Sequence, residues 1–211
     1  MKYILGKKEK MTQIFDDAGR VWPVTVVSAG PMVVTQIKFK ATDKYEAVQF
    51  AYGTRRVKNI RKPVRGQQHL AADAKVGYEY LRECRWPAEQ IKEMSLGQQI
   101  DASIFEAGEA VTVAGISKGR GFQGVVKRHG FHGGSRTHGQ KHSEREAGSI
   151  SGSGGRAGGR VAKGIRMAGR MGADRVTVKN LRVVAVDKEN NKLLISGAIP
   201  GRRGTLIEIH G

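Results

Sequence analysis

A chain of 211 residues has room for one elaborated domain or two small ones, and 39% hydrophobic content with 29 glycines means that part of it packs no core. A formal net charge of +18 and a pI near 10.3 repel a compact state unless a partner neutralises them, so a polyanion is expected. The composition excludes a membrane span and an intramolecular disulfide, since Cys84 is the only cysteine, and no basic amphipathic helix is present to bind an anionic bilayer. The opening "MKYILGKKEK" has too short an apolar run for a signal peptide, so the chain reads as cytosolic or as a mature organelle protein.

In chain order, "MTQIF", the turn "DDAG", "RVWPVTVVSA", the turn "GP" and "MVVTQIKFK" predict strands, because β-branched residues alternate with turn formers. Pro23 needs an edge or a bulge, since it donates nothing to a ladder. "EAVQFAYG" predicts another strand. From Ala47 to Ala72 there is no acid, while Arg55, Arg56, Lys58, Arg61, Lys62 and Arg65 are all cationic. "YEYLRECRW" reads as a strand, and "PAEQIKEM" as a short helix with Pro87 at its first position. "QQIDASIF" and "EAVTVAGI" return to strand. The final forty residues give "DRVTVKNLRVVAVD", the hairpin connection "DKENN", "NKLLISGAI" and "TLIEI". With strands at both ends and no alternation with helices, the fold class is mainly β, a barrel or sandwich.

Residues 118–172 differ from the rest. They hold 16 glycines, 12 Lys or Arg, four histidines and only two acids, Glu144 and Glu146, which is +10 of the net +18. With so little to bury, this segment is expected to order against a partner and to be protease-sensitive without one. Gly119, Gly121 and Gly124 match G-x-G-x-x-G, but glycines and cations must stop any helix within two turns, and no second βαβ unit follows. A dinucleotide site is therefore set aside. The same glycines let backbone N–H groups approach phosphates, with Lys118, Arg120, Lys127 and Arg128 supplying charge. Phe122 and Phe131 are candidates to stack on bases; the alternative for Phe122 is burial in the core.

His129, His132, His138 and His142 have ligand-like spacing, yet no Cys or Asp lies nearby and cations surround them, so RNA contact or plain loop polarity is preferred to a metal. Ser149, Ser151 and Ser153 lack the spacing of a nucleophile elbow, and no carboxylate pair accompanies them. Cys84 reads as a buried, inert thiol. Arg156, Arg160, Lys163, Arg166 and Arg170 recur every three or four residues, but five glycines from Gly155 to Gly169 favour an extended basic strand over a helix. Arg136, His138, Lys141 and His142 complete the candidate RNA contacts. No catalytic residue, metal, cofactor, small-molecule substrate or membrane partner is expected. A free-standing nucleic-acid chaperone and a nucleotide-dependent enzyme are the rival classes.

"GKKEKMTQIFDDAGRVWPVTVV", "GPMVVTQIK", "YEAVQFAYG", "YLRECR", "SKGRGFQGVVKRHGF", "MAGRMGADRVTVKNLRVVAVD" and "GAIPGRRG" stand in one order that resembles the bacterial form of the large-subunit ribosomal protein three family. Lys10 replaces a usual glycine, Cys84 a usual phenylalanine, and Thr112 stands where Asp or Asn is the pattern. The resemblance implies a barrel of the translation-protein type with a small α+β insertion and a long, basic, glycine-rich loop. It divides the chain into 1–46 (barrel), 47–95 (insertion), 96–117 (barrel), 118–172 (loop) and 173–211 (barrel). It also implies binding to large-subunit rRNA and neighbouring ribosomal proteins, an early role in assembly, and no enzymatic activity. The loop is implied to thread toward the peptidyl-transferase centre, with its tip at Gly148, Ser149, Ile150, Ser151, Gly152 and Ser153. Many bacterial members carry a Gln/Asn-rich tip, in some methylated on glutamine; here "GSISGSGGRAGG" has no glutamine, so that modification is expected to be absent.

Overall fold

A computed structural model describes residues 2–16, 18–68, 74–141, 143–150 and 161–211. The chain divides into two compact units, one formed by Met1–Ile116 with Arg175–Gly211, the other by Ser117–Asp174.

In the first unit the strands are β1 (Tyr3–Phe15), β2 (Val21–Ala29), β3 (Met32–Lys38), β4 (Ala47–Arg56), β5 (Val76–Cys84), β6 (Gln99–Ile100) and β7 (Ala110–Ile116). The second unit contributes β8 (Gly121–Gln123) and β9 (Gly169–Met171), and the chain then returns with β10 (Arg175–Asp187), β11 (Lys192–Ser196) and β12 (Leu206–His210). Helices are short: α1 (Lys40–Asp43), α2 (Lys62–Gln67), α3 (Ala88–Lys92) and α4 (Val125–His129). Six strands close an antiparallel barrel in the order β1-β12-β7-β10-β11-β2, so no sheet edge is left within it. β5-β4-β3-β6 form a separate four-stranded antiparallel sheet.

Alternation explains the barrel wall. In β12, Ile207 and Ile209 are fully buried while Leu206, Glu208 and His210 are half-buried, and β11 repeats the pattern with Leu193 and Ile195 inside. Pro23 is exposed, one residue beyond Val24, the last position of β2 opposite β11, so its missing N–H interrupts no ladder there. The "DDAG" turn is fastened by Asp16, whose carboxylate accepts from the N–H groups of Ala18 and Arg20 at 3.0 and 2.7 Å. At the β10–β11 hairpin, Asp187 accepts from the backbone and side chain of Asn190.

Several expectations need correction. β1 begins at Tyr3, eight residues before "MTQIF", and its first residues Tyr3, Ile4 and Leu5 are buried. β3 and β6 belong to the four-stranded sheet, not to the barrel where segments 1–46 and 96–117 had put them. The cause is that β3 buries Met32, Val34 and Thr35 in its first half, a pattern that suits a strand of either sheet equally. Pro87 caps α3 from outside in extended geometry, because its carbonyl accepts from Gln90 and Ile91 while its ring stays clear of the first turn.

The sheet packs on the barrel through Phe50, whose ring lies 5.4 Å from Tyr3 and 5.7 Å from Trp86 between centroids. Cys84 is buried beside this cluster, and burial pushes its thiol pKa up, as befits an unreactive cysteine. A second tie is polar: Lys7 Nζ on β1 lies 2.5 Å from Glu79 Oε2 on β5. Lys7 holds the Glu79 carboxyl below its usual range, and Glu79 holds the lysine above its own. A depressed carboxyl stabilises the fold above the unfolded carboxylate range and loses that stability as pH falls through the lower folded value; the raised lysine loses its share only as pH rises above about 10. Because both side chains are about a third exposed, the pair contributes at most about 1 kcal/mol. Glu79→Gln is expected to lower the urea midpoint slightly at pH 7 and to flatten its fall below about pH 4, which a denaturation series across pH measures.

Candidate nucleic-acid interface

Six ion pairs exist among the described residues, and five of them consume acids inside the first unit: Lys2–Glu109, Lys7–Glu79, Lys38–Glu83, and Glu208 with both Arg82 and Arg175. Only Arg136–Glu144 lies in the second unit. Among the described residues most cations of Ser117–Asp174 are exposed with few carboxylates to neutralise them, which is the electrostatic footprint of a phosphate-binding surface.

In that unit Lys118 and Arg120 are exposed and lead into β8, which pairs with β9 as a two-stranded ribbon. The register sets Phe122 opposite Arg170, joining residues 48 apart in sequence. Phe122 is 76% exposed, so the core alternative for it is overturned: a ribbon of three residues per strand has no second layer to cover one face. The exposed pair presents an aromatic face and a guanidinium side by side, the combination used to stack a base and hold its phosphate. β8 is followed by α4, which Gly130 ends at φ +74° after five residues. No helix of dinucleotide-binding length follows the glycines.

Lys127 on α4 is exposed, whereas Arg128 and His129 are half-buried. Arg128 donates to the Met167 carbonyl at 2.7 Å, and His129 Nε2 lies 3.1 Å from the same oxygen. These two residues brace the returning strand, so part of their hydrogen-bonding capacity is used within the chain. Gly169 leaves the space that the Arg128 guanidinium uses, since a Cβ would sit 2.7 Å from it and the arginine would have to shift. Arg136, His138, Lys141, Lys163 and Arg166 are exposed, with Arg136 also paired to Glu144. Gly148, Ser149 and Ile150 are exposed. His142, Ser151, Gly152, Ser153, Arg156 and Arg160 lie outside the described residues. The extended strand expected along the later cations is present at Gly169–Met171, while residues 161–168 form turns and irregular chain. Among the described residues no three His, Cys, Asp or Glu side chains gather as metal ligands.

In the first unit, Arg55, Arg56, Lys58, Arg61 and Lys62 are exposed along the end of β4 and the start of α2. Arg65 behaves differently: its guanidinium donates to the carbonyls of Ile60 and Val57 at 3.0 and 2.7 Å, fixing the turn that displays the others. Arg56 and Lys58 share an open cavity of about 490 Å³ with Lys75, a cation the sequence reading passed over because it follows Asp73. On the barrel a second cavity, about 590 Å³, is lined by Lys7, Lys8, Lys10 and Arg203. Lysines in "GKKEK" and arginines in "GRRG" were the available signal, but they are some 190 residues apart and are joined by the β1–β12 pairing and by the hydrogen bonds of Lys8 to Gly204 and Thr205.

The family described as Ribosomal protein L3 matches residues 81–198. Similar proteins include the large ribosomal subunit protein uL3 of Herpetosiphon aurantiacus, 47% identical over 206 residues, which cover 98% of this chain and 94% of that protein. The uL3 proteins of Acidothermus cellulolyticus (47% over 209 residues, 99% and 91%) and Streptomyces coelicolor (49% over 207 residues, 98% and 94%) are equally similar along their lengths.

Proposed function

The chain belongs to the ribosomal protein L3 family, a structural and non-enzymatic component of the large ribosomal subunit, and from that premise we propose how it binds. It binds large-subunit rRNA, supports early subunit assembly, and extends residues 118–172 toward the peptidyl-transferase centre. Its barrel is of the translation-protein type and rests on rRNA, with the cations at Arg55–Lys62 as a second contact area. Neighbouring ribosomal proteins complete its surroundings, in the ribosomes of the cytoplasm.

The observation that carries this reading is the acid-poor, exposed cationic unit inserted between the paired strands β7 and β10. Lysines and arginines neutralise phosphates and release counterions, while glycines let the backbone follow the RNA surface closely.

Sedimentation of tagged chain in a sucrose gradient at high salt tests the proposal. Co-migration with large subunits is expected. Migration at the top of the gradient, with binding to generic duplex RNA retained, would instead identify a free nucleic-acid chaperone.

A further inference from the structure

The geometry points to a pocket in the second unit for one unstacked base of the bound RNA, a guanine; the inference rests on the rRNA-binding reading above. The pocket measures about 600 Å³, and its lining includes His129, Phe131, Gln140, Ser143, Glu146 and Arg166. That volume falls within the range of about 300–1,000 Å³ that holds small ligands.

One backbone contact and one side-chain contact hold the pocket's two loop segments. Gly134 N–H donates to the Glu144 carbonyl at 3.0 Å, drawing the two loop segments together. A Cβ on Gly133, at φ +75°, would overlap that same carbonyl oxygen. Gln140 closes the floor by donating to Ser143 Oγ at 2.7 Å. One wall is aromatic: the rings of His129 and Phe131 lie 6.0 Å apart at 42°, and the Met167 carbonyl holds His129 in place. Aromatic rings fixed at a loop wall are the platforms on which proteins stack splayed-out bases of single-stranded RNA.

Glu146 decides which base. It is an acid in a segment that must approach phosphates, and no ion pair among the described residues occupies it, whereas Glu144 is taken by Arg136. A carboxylate only accepts hydrogen bonds, so facing phosphate it repels and facing a base it needs N–H donors. Guanine offers two adjacent donors, N1–H and the N2 amino group, matched to the two carboxylate oxygens. Uracil has one such donor, and the Watson–Crick edges of adenine and cytosine each pair a single amino group with an acceptor that a carboxylate repels. Arg166 beside the opening supplies the charge for that nucleotide's phosphate.

Kethoxal, which modifies N1 and N2 of accessible guanines, reads this contact in purified large subunits carrying the full chain. One unpaired guanine protected with the native chain is expected to gain several-fold reactivity with Glu146→Gln and with Glu146→Ala. The exposed turn variant Glu189→Gln should leave it protected. Phe131→Leu, which removes the aromatic face but keeps an apolar side chain, should expose the same guanine. If subunits contain the Glu146 variants and no guanine changes, or if guanines change broadly, the pocket assignment fails while the ribosomal reading stands. If dimethyl sulfate instead reveals a newly exposed adenine or cytosine, guanine is the wrong base. A chain absent from large subunits overturns the ribosomal reading itself.

Discussion

Raising salt from 50 to 200 mM is expected to weaken binding of the chain to a large-subunit rRNA fragment by about 10⁴–10⁵. About ten cations touching phosphate give a plot of log K against log salt with a slope of roughly −7 to −9, depending on whether the contacted RNA is single- or double-stranded. The contacts are drawn from the exposed cations Lys118, Arg120, Lys127, Arg136, Lys141, Lys163, Arg166 and Arg170 of the second unit and Arg55, Arg56, Lys58, Arg61 and Lys62 of the first. Arg128 is left out of that count because its guanidinium holds Met167. Filter binding or fluorescence anisotropy at five or six salt concentrations gives the slope, and each alanine substitution of an exposed cation should reduce it by about one. A slope near −1 to −2 would mean that most of these side chains never reach phosphate.

Phe50→Ala is expected to destabilise the first unit by about 3–5 kcal/mol, a large fraction of the roughly 5–15 kcal/mol that holds a domain together. Phe50 is fully buried and touches both Tyr3 of the barrel and Trp86 beyond the end of β5. Alanine leaves a cavity where three aromatic rings meet, and each side of the contact would have to move to fill it. Urea unfolding followed by tryptophan fluorescence measures the midpoint shift, since Trp86 reports from within the cluster. A loss under about 1 kcal/mol would show that the site collapses around the missing ring.

The basic, glycine-rich unit was legible because composition alone separates it: cations and glycines accumulate where apolar periodicity stops. Strand positions were legible for the same physical reason, since alternation in "TLIEI" and "NKLLIS" states which residues face inward. Partnership was not legible. Alternation gives the face of a strand and not its neighbour, so β3 was assigned to the barrel although its hydrogen bonds go to β4 and β6. Phe122 shows the opposite limit: its residue type argues for burial, and only the two-stranded ribbon explains its exposure. Arg65 and Arg128 look like any other cations in the sequence, yet backbone carbonyls take up their guanidinium groups. The roles of Glu144 and Glu146 also depend on a fold-back at Gly134 that no spacing rule anticipates.

β12 pairs with both β1 and β7, so the barrel cannot close until Leu206–His210 has been made. Residues 118–172 are synthesised earlier, by a few seconds at about 5–20 residues per second. Pairing strands from opposite ends of the chain is also slow, because the intervening segment must be gathered first. During translation the polycationic segment is thus exposed before its anchoring platform exists, in a cell crowded with nucleic acid. Until Leu206–His210 closes the barrel, the charge of that segment is balanced only by whatever anions the nascent chain meets.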